Sequence, residues 1–124
     1  MKIPVAKPFL GQEEAAASSE AVLSHWVTQG PRVKKFEEAF ARYVGAEHAI
    51  AVSSCTTGLH LALIIAGIGS GDEVICPSMS FVATANAIKY CGATPIFAEV
   101  ESNYNLDISD VEKRITINTK AVLL

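Results

Sequence analysis

Apolar and polar positions alternate along this chain in short blocks, and the period changes from block to block. The clearest change lies between His48 and Leu63. Ala49–Val52 is an unbroken apolar run of the length of a buried strand. Four hydroxylic residues follow, Ser53, Ser54, Thr56 and Thr57, and then Leu59, Ala62, Leu63 and Ala66 recur at the i, i+3, i+4, i+7 spacing of a helix face. The pattern predicts strand, tight polar turn, helix.

Upstream, residues 1–10 read as an extended arm, because Pro4 and Pro8 are incompatible with a helix interior. An Ala/Glu-rich helix is predicted over Gln12–Val27, ended by the breakers Thr28-Gln29-Gly30-Pro31. A second helix, Arg32–Val44, places Val33, Phe36, Phe40 and Tyr43 on one face and Lys34, Lys35, Glu37 and Glu38 on the other, and Gly45 stops it. Its aromatic stripe is expected in the core.

Downstream, the loop Gly69–Asp72 leads to a strand Glu73–Cys76 closed by Pro77. A helix Phe81–Tyr90 follows, capped by Ser78 or Ser80. Then come a strand Pro95–Val100, a polar loop Glu101–Asn105, and a helix Ile108–Ile115 capped by Asp107 or Ser109. Lys120–Leu124 begins a fourth strand. Short apolar strands alternating with helices predict an α/β fold with a mostly parallel sheet flanked by helices on both faces.

Ligands of such sheets bind beyond the carboxyl ends of the strands. Two loops meet that condition, Ser53–Thr57 and Pro77–Phe81. A turn that opens a helix aims free N–H groups and the positive end of the helix dipole at one point, which suits a phosphate. The turn carries neither G-x-x-x-x-G-K-S/T nor G-x-G-x-x-G. A plain helix cap at Ser54 or Thr56 accounts for the turn equally well. Phe81 is expected under a helix on pattern alone, with presentation to a planar ligand as the alternative.

Composition narrows the picture. Half the residues are hydrophobic, and 10 basic against 13 acidic residues leave a net charge of −3. No basic cluster stands out beyond Lys34-Lys35, which argues against a nucleic-acid partner. No apolar run approaches membrane-spanning length, and the proline-interrupted N-terminus does not resemble a signal peptide. Cys55, Cys76 and Cys91 form no C-x-x-C pair and are expected as small buried residues of a cytoplasmic protein. His25, His48 and His60 lack metal-ligand spacing, and no catalytic base stands out.

The stretches SSCTTGLHLAL, GSGDEVICPSMSFVATANAI and YCGATPIFAEVESNYNLD, with TQGPRVKKFEEAFARYVGAEHAIAV upstream, closely resemble the DegT/DnrJ/EryC1/StrS family of pyridoxal-phosphate-dependent sugar aminotransferases. The resemblance implies the N-terminal part of the large domain of a fold-type I transferase. It assigns residues 1–30 to an arm and first helix, and residues 31–124 to an incomplete cofactor-binding domain. It also implies a homodimer that uses pyridoxal 5'-phosphate to move an amino group, typically from glutamate, to a keto group of a nucleotide-linked sugar. By the same resemblance, Thr56 and Thr57 bind the cofactor phosphate and Phe81 stacks on its ring.

The family's Schiff-base lysine and pyridine-pairing acid match nothing in this sequence and are expected beyond Leu124. The chain alone is therefore expected to be inactive. The competing expectations are a dehydratase-type relative of the same fold and an inactive α/β module that binds small molecules.

Overall fold

The computed structural model describes residues 3–124; Met1 and Lys2, part of the predicted arm, lie outside the described residues. The chain forms two compact units, residues 1–51 and 52–124.

In the first unit, residues 3–10 carry no regular structure, and α1 spans Gln12–Leu23. Its start is tied by Glu14, whose Oε2 accepts the Gly11 N–H at 2.7 Å. Glu13 and Glu14 in the first turn complement the helix dipole. The helix ends four residues before the predicted Val27. The Ser24 hydroxyl donates to the Ala21 carbonyl at 2.7 Å and accepts the Trp26 N–H at 3.3 Å, which competes with helix continuation. His25 then turns left-handed, at φ 58°.

Helix α2, Pro31–Val44, starts on a proline and stops at Gly45, whose φ of 71° is the left-handed cap that glycine adopts without strain. Its aromatic stripe is not core. Phe36 and Phe40 are 59% and 48% exposed, Tyr43 is exposed as well, and Ala41 is the buried residue of the helix. Among its described residues this unit carries no sheet for the stripe to pack on, and Phe36 and Phe40 pack on each other, ring centroids 5.9 Å apart.

The predicted strand Ala49–Val52 is absent as well. Ile50 is 82% exposed, and the Ala51 N–H donates to Glu37 Oε1 at 2.8 Å instead of to a neighbouring strand. An apolar run becomes a strand only where a partner ladder takes its backbone groups.

The second unit holds α3 (Cys55–Ile65), β1 (Glu73–Pro77), α4 (Ala83–Tyr90), β2 (Thr94–Ala98), α5 (Ile108–Arg114) and β3 (Thr119–Val122). The strands form a parallel sheet in the order β2-β1-β3. β1 is central because Val74, Ile75 and Cys76 are apolar on both faces, and all three are fully buried. Ile75 pairs with Ile96 and, on the other side, with Val122, while a register shift between Glu73 and Val74 accommodates Lys120.

Side chains divide by strand parity. Val74 and Cys76 face α3 and α4, packing with Leu63, Ile68, Ala87, Ile88 and Ala93. Ile75 faces the other way, onto Ala98, Leu106 and Val111 of α5. Both faces of the sheet are thus covered by helices, as the alternating pattern predicts. α5 is tied to the end of β2 by Asp110, whose Oδ2 accepts from the Glu99 N–H at 2.8 Å and from Arg114 Nε at 2.6 Å. Asp107, one of the two predicted caps, accepts the Ser109 and Asp110 N–H groups. Cys76 is buried as expected and Cys91 half-buried, but Cys55 is exposed because it opens α3.

Candidate functional site

The carboxyl edge of the sheet is built by α3 and α4. α3 leads through Gly67–Asp72 into the start of β1, and α4 begins after a five-residue loop that follows β1 and leads into the start of β2. The two C-terminal turns meet at the amino edge. There a Cβ on Gly92 would lie 3.7 Å from the Ser70 nitrogen, and the Thr94 N–H donates to the Asp72 carbonyl at 2.9 Å. Both helices pack on the same face of the sheet. α3, about 16 Å long, spans the same length as a five-residue strand of about 17 Å. The first turns of α3 and α4 therefore both lie toward the carboxyl edge, and they carry Thr56-Thr57 and the Phe81 loop.

Ser54 is the N-cap of α3, its Oγ accepting the Thr57 N–H at 3.2 Å. Thr57 Oγ1 also lies 3.0 Å from Ser54 Oγ and 3.1 Å from Ser53 Oγ, so three hydroxyls share hydrogens in one cluster. Thr56 and Thr57 are half-buried. The amides of Cys55 and Thr56 precede the first intrahelical acceptor and have no protein partner among the described residues. The first turn holds no acidic residue. Two unpaired N–H groups, a hydroxyl cluster and the positive end of an eleven-residue helix together match the chemistry of a phosphate dianion. The family resemblance points to Thr56 and Thr57, whereas the turn pattern offers the whole loop Ser53–Thr57 with Ser54 or Thr56 as its cap; Ser54 takes the cap and Ser53 joins it against the Thr57 hydroxyl.

At the second loop, Phe81 is not beneath a helix: it is 78% exposed. The Ser78 N–H donates to the Ala98 carbonyl at 2.8 Å and extends the β1–β2 ladder to the base of the loop. The expected cap at Ser78 or Ser80 does not form, and α4 is capped by Val82 without a side-chain bond. Ser80 Oγ instead lies 2.7 Å from Thr84 Oγ1, and the Thr84 N–H donates to the Phe81 carbonyl at 3.0 Å. These two bonds close a turn around Phe81 and delay the helix to Ala83. A ring presented on such a turn is available to stack on a planar ligand.

The sequence profile of the DegT/DnrJ/EryC1/StrS aminotransferase family matches residues 8–124. The chain belongs to that family. It is 47% identical over 122 residues to the spore coat polysaccharide biosynthesis protein SpsC of Bacillus subtilis (strain 168), covering 98% of this chain and 31% of that protein. Against the UDP-4-amino-4-deoxy-L-arabinose–oxoglutarate aminotransferase of Shewanella sediminis (strain HAW-EB3), identity is 40% with the same coverage.

Among solved structures, Spr1654 from Streptococcus pneumoniae in its PLP form superimposes with a TM-score of 0.92 at 30% identity, over 98% of this chain and 31% of that one. The chain thus spans about a third of the length of these family members. No helix among the described residues is long and apolar enough to cross a membrane.

Proposed function

We propose that the second unit is the cofactor-phosphate side of a pyridoxal-phosphate-dependent aminotransferase. The whole protein transfers an amino group from a donor such as glutamate to a keto group of a nucleotide-linked sugar, as a cytoplasmic homodimer. The observation that carries this reading is the placement of two separate features toward one sheet edge in a chain of this family: an anion-ready helix start and an exposed, turn-held aromatic ring.

In this reading the Cys55 and Thr56 amides and the Thr57 hydroxyl hold the phosphate. Ser53 and Ser54 orient that hydroxyl. The Phe81 ring lies against the cofactor's pyridine face and shields it from water. Pyridoxal phosphate, when bound, supplies the electron sink for amino-group transfer. None of the chain's lysines is assigned the nucleophile's role, so the isolated chain holds the cofactor without turnover.

The test is an amide and aromatic NMR titration of the chain with pyridoxal phosphate, followed by borohydride reduction and mass spectrometry. Shifts should concentrate at Cys55–Thr57 and on the Phe81 ring, with no stoichiometric adduct at one lysine. Saturating ligand that leaves those signals unmoved overturns the site. A single stoichiometric lysine adduct overturns the assignment of the nucleophile to a position outside this sequence.

A further inference from the structure

The loop that presents Phe81 also holds the one thioether among the described residues, Met79. Met79 stands between two anchors. Before it, the Ser78 N–H donates to the Ala98 carbonyl at 2.8 Å and fixes the chain to the β1–β2 ladder. After it, Ser80 Oγ lies 2.7 Å from Thr84 Oγ1, and the Thr84 N–H donates to the Phe81 carbonyl at 3.0 Å. Met79 itself is 61% exposed, so its sulfur is open to oxidants in solution. On a loose segment such a change would stay local. Here the residue next to the sulfur-bearing one supplies a hydroxyl that closes the turn around Phe81.

We infer that Met79 is an oxidation site whose sulfoxide loosens the turn holding Phe81. The oxidant is a peroxide. The sulfur lone pair forms an S–O bond as the O–O bond breaks, and the departing oxygen takes the proton of the transferred one and leaves as water. The sulfur is oxidised by two electrons and the peroxide reduced by two. A thioether sulfur is a weak hydrogen-bond acceptor, so the reduced side chain leaves the Ser80–Thr84 pair undisturbed. The sulfoxide is polar, and its oxygen competes with that pair for a hydroxyl proton. Losing the Ser80–Thr84 bond removes one of the two bonds that close the turn. Methionine sulfoxide reductases return the thioether, so the change is reversible. The inference rests on the proposed function only where it concerns the cofactor: a ring no longer fixed on its turn stacks less well, and affinity for pyridoxal phosphate falls.

The test is hydrogen peroxide followed by dithiothreitol, which restores reversibly oxidised cysteines and leaves the sulfoxide in place. The peptide containing Met79 should gain one oxygen by mass spectrometry. NMR signals of Ser80, Phe81 and Thr84 should shift, and pyridoxal phosphate should bind several-fold more weakly. Methionine sulfoxide reductase should reverse both effects. Met79→Leu keeps an apolar side chain of similar volume, and the same treatment should leave its signals and affinity unchanged, which removes the exposed Cys55 as the cause.

A Met79 that stays unoxidised in the folded chain while free N-acetylmethionine is consumed overturns the inference. So does a sulfoxide that leaves the Ser80, Phe81 and Thr84 signals unmoved, or a Met79→Leu chain that loses as much affinity as the parent. If the untreated chain binds no pyridoxal phosphate at Phe81, the proposed function fails, and the loop signals still decide this inference by themselves.

Discussion

Gly30→Ala tests the packing that holds Trp26. The backbone itself raises no objection, since Gly30 at φ 172° is extended in a way any residue adopts. The obstacle is steric. The new methyl would lie 2.3 Å from Trp26 Nε1, 2.7 Å from Cε2 and 3.0 Å from Cδ1, an overlap of about an ångström with the ring edge. The ring is the far end of a half-exposed side chain, so it will swing away rather than force the backbone apart. That loses the indole bond to the Gln29 carbonyl, worth about 1 kcal/mol net, along with part of the ring's packing.

The expected total for Gly30→Ala is about 1–2 kcal/mol, small beside a buried-core truncation. The spectroscopic change should be large: red-shifted emission and loss of the near-ultraviolet tryptophan band, with far-ultraviolet helix signal retained. A double-mutant cycle isolates the cause. In a Trp26→Ala background the obstacle is gone, so Gly30→Ala should cost nearly nothing and the coupling should approach 1 kcal/mol. Unchanged emission and stability in Gly30→Ala, or zero coupling, would refute the close approach of ring and glycine.

Three further outcomes are expected. Ser54→Ala removes the cap on the Thr57 N–H and should cost about 1 kcal/mol in thermal or denaturant unfolding, without creating a cavity because the position is exposed. Ile88→Ala truncates a fully buried side chain between α4 and the sheet and should cost about 2–5 kcal/mol, enough to broaden or abolish a cooperative unfolding transition.

The third outcome concerns acid. The Arg114 guanidinium, together with the Glu99 N–H, holds the Asp110 carboxyl below its ordinary range. A carboxyl depressed in the folded state contributes stability above its unfolded pKa of about 3.9 and loses it as pH falls through the lower folded value. Stability against unfolding, followed from pH 7 to pH 2, should therefore fall below about pH 4, and Asp110→Asn should flatten that acid limb while lowering the neutral plateau.

What the sequence discloses of this fold follows how local its causes are. Helix starts and stops set by one residue are legible: Gly45 ends α2 through its own left-handed backbone, and Asp107 caps α5 with its own carboxylate. The strand Glu73–Pro77 is legible because a run apolar on both faces fits only the middle of a covered sheet. Ser54 is legible as a cap, and the free amides behind it follow from helix geometry alone.

The misreadings share a different cause. Ala49–Val52 has strand composition and Val33–Tyr43 has a helical apolar stripe, but composition states only what a segment would bury, not whether anything lies there to bury it against. In these units Ile50, Phe36 and Phe40 meet solvent. Phe81 shows the same limit from the other side. Its neighbours predict a helix that starts at Phe81, yet Ser80 and Thr84 bond to each other and Val82 takes the cap, so the ring is left on the turn. That side-chain bond spans four residues and competes with the cap expected from Ser80, a contest that periodicity cannot decide. Placement of the ring therefore depends on one hydroxyl pair. If the ring contributes to cofactor binding as proposed, Thr84→Val should weaken that binding while Thr84→Ser should preserve it, a contrast that burial of Phe81 in a core would not produce.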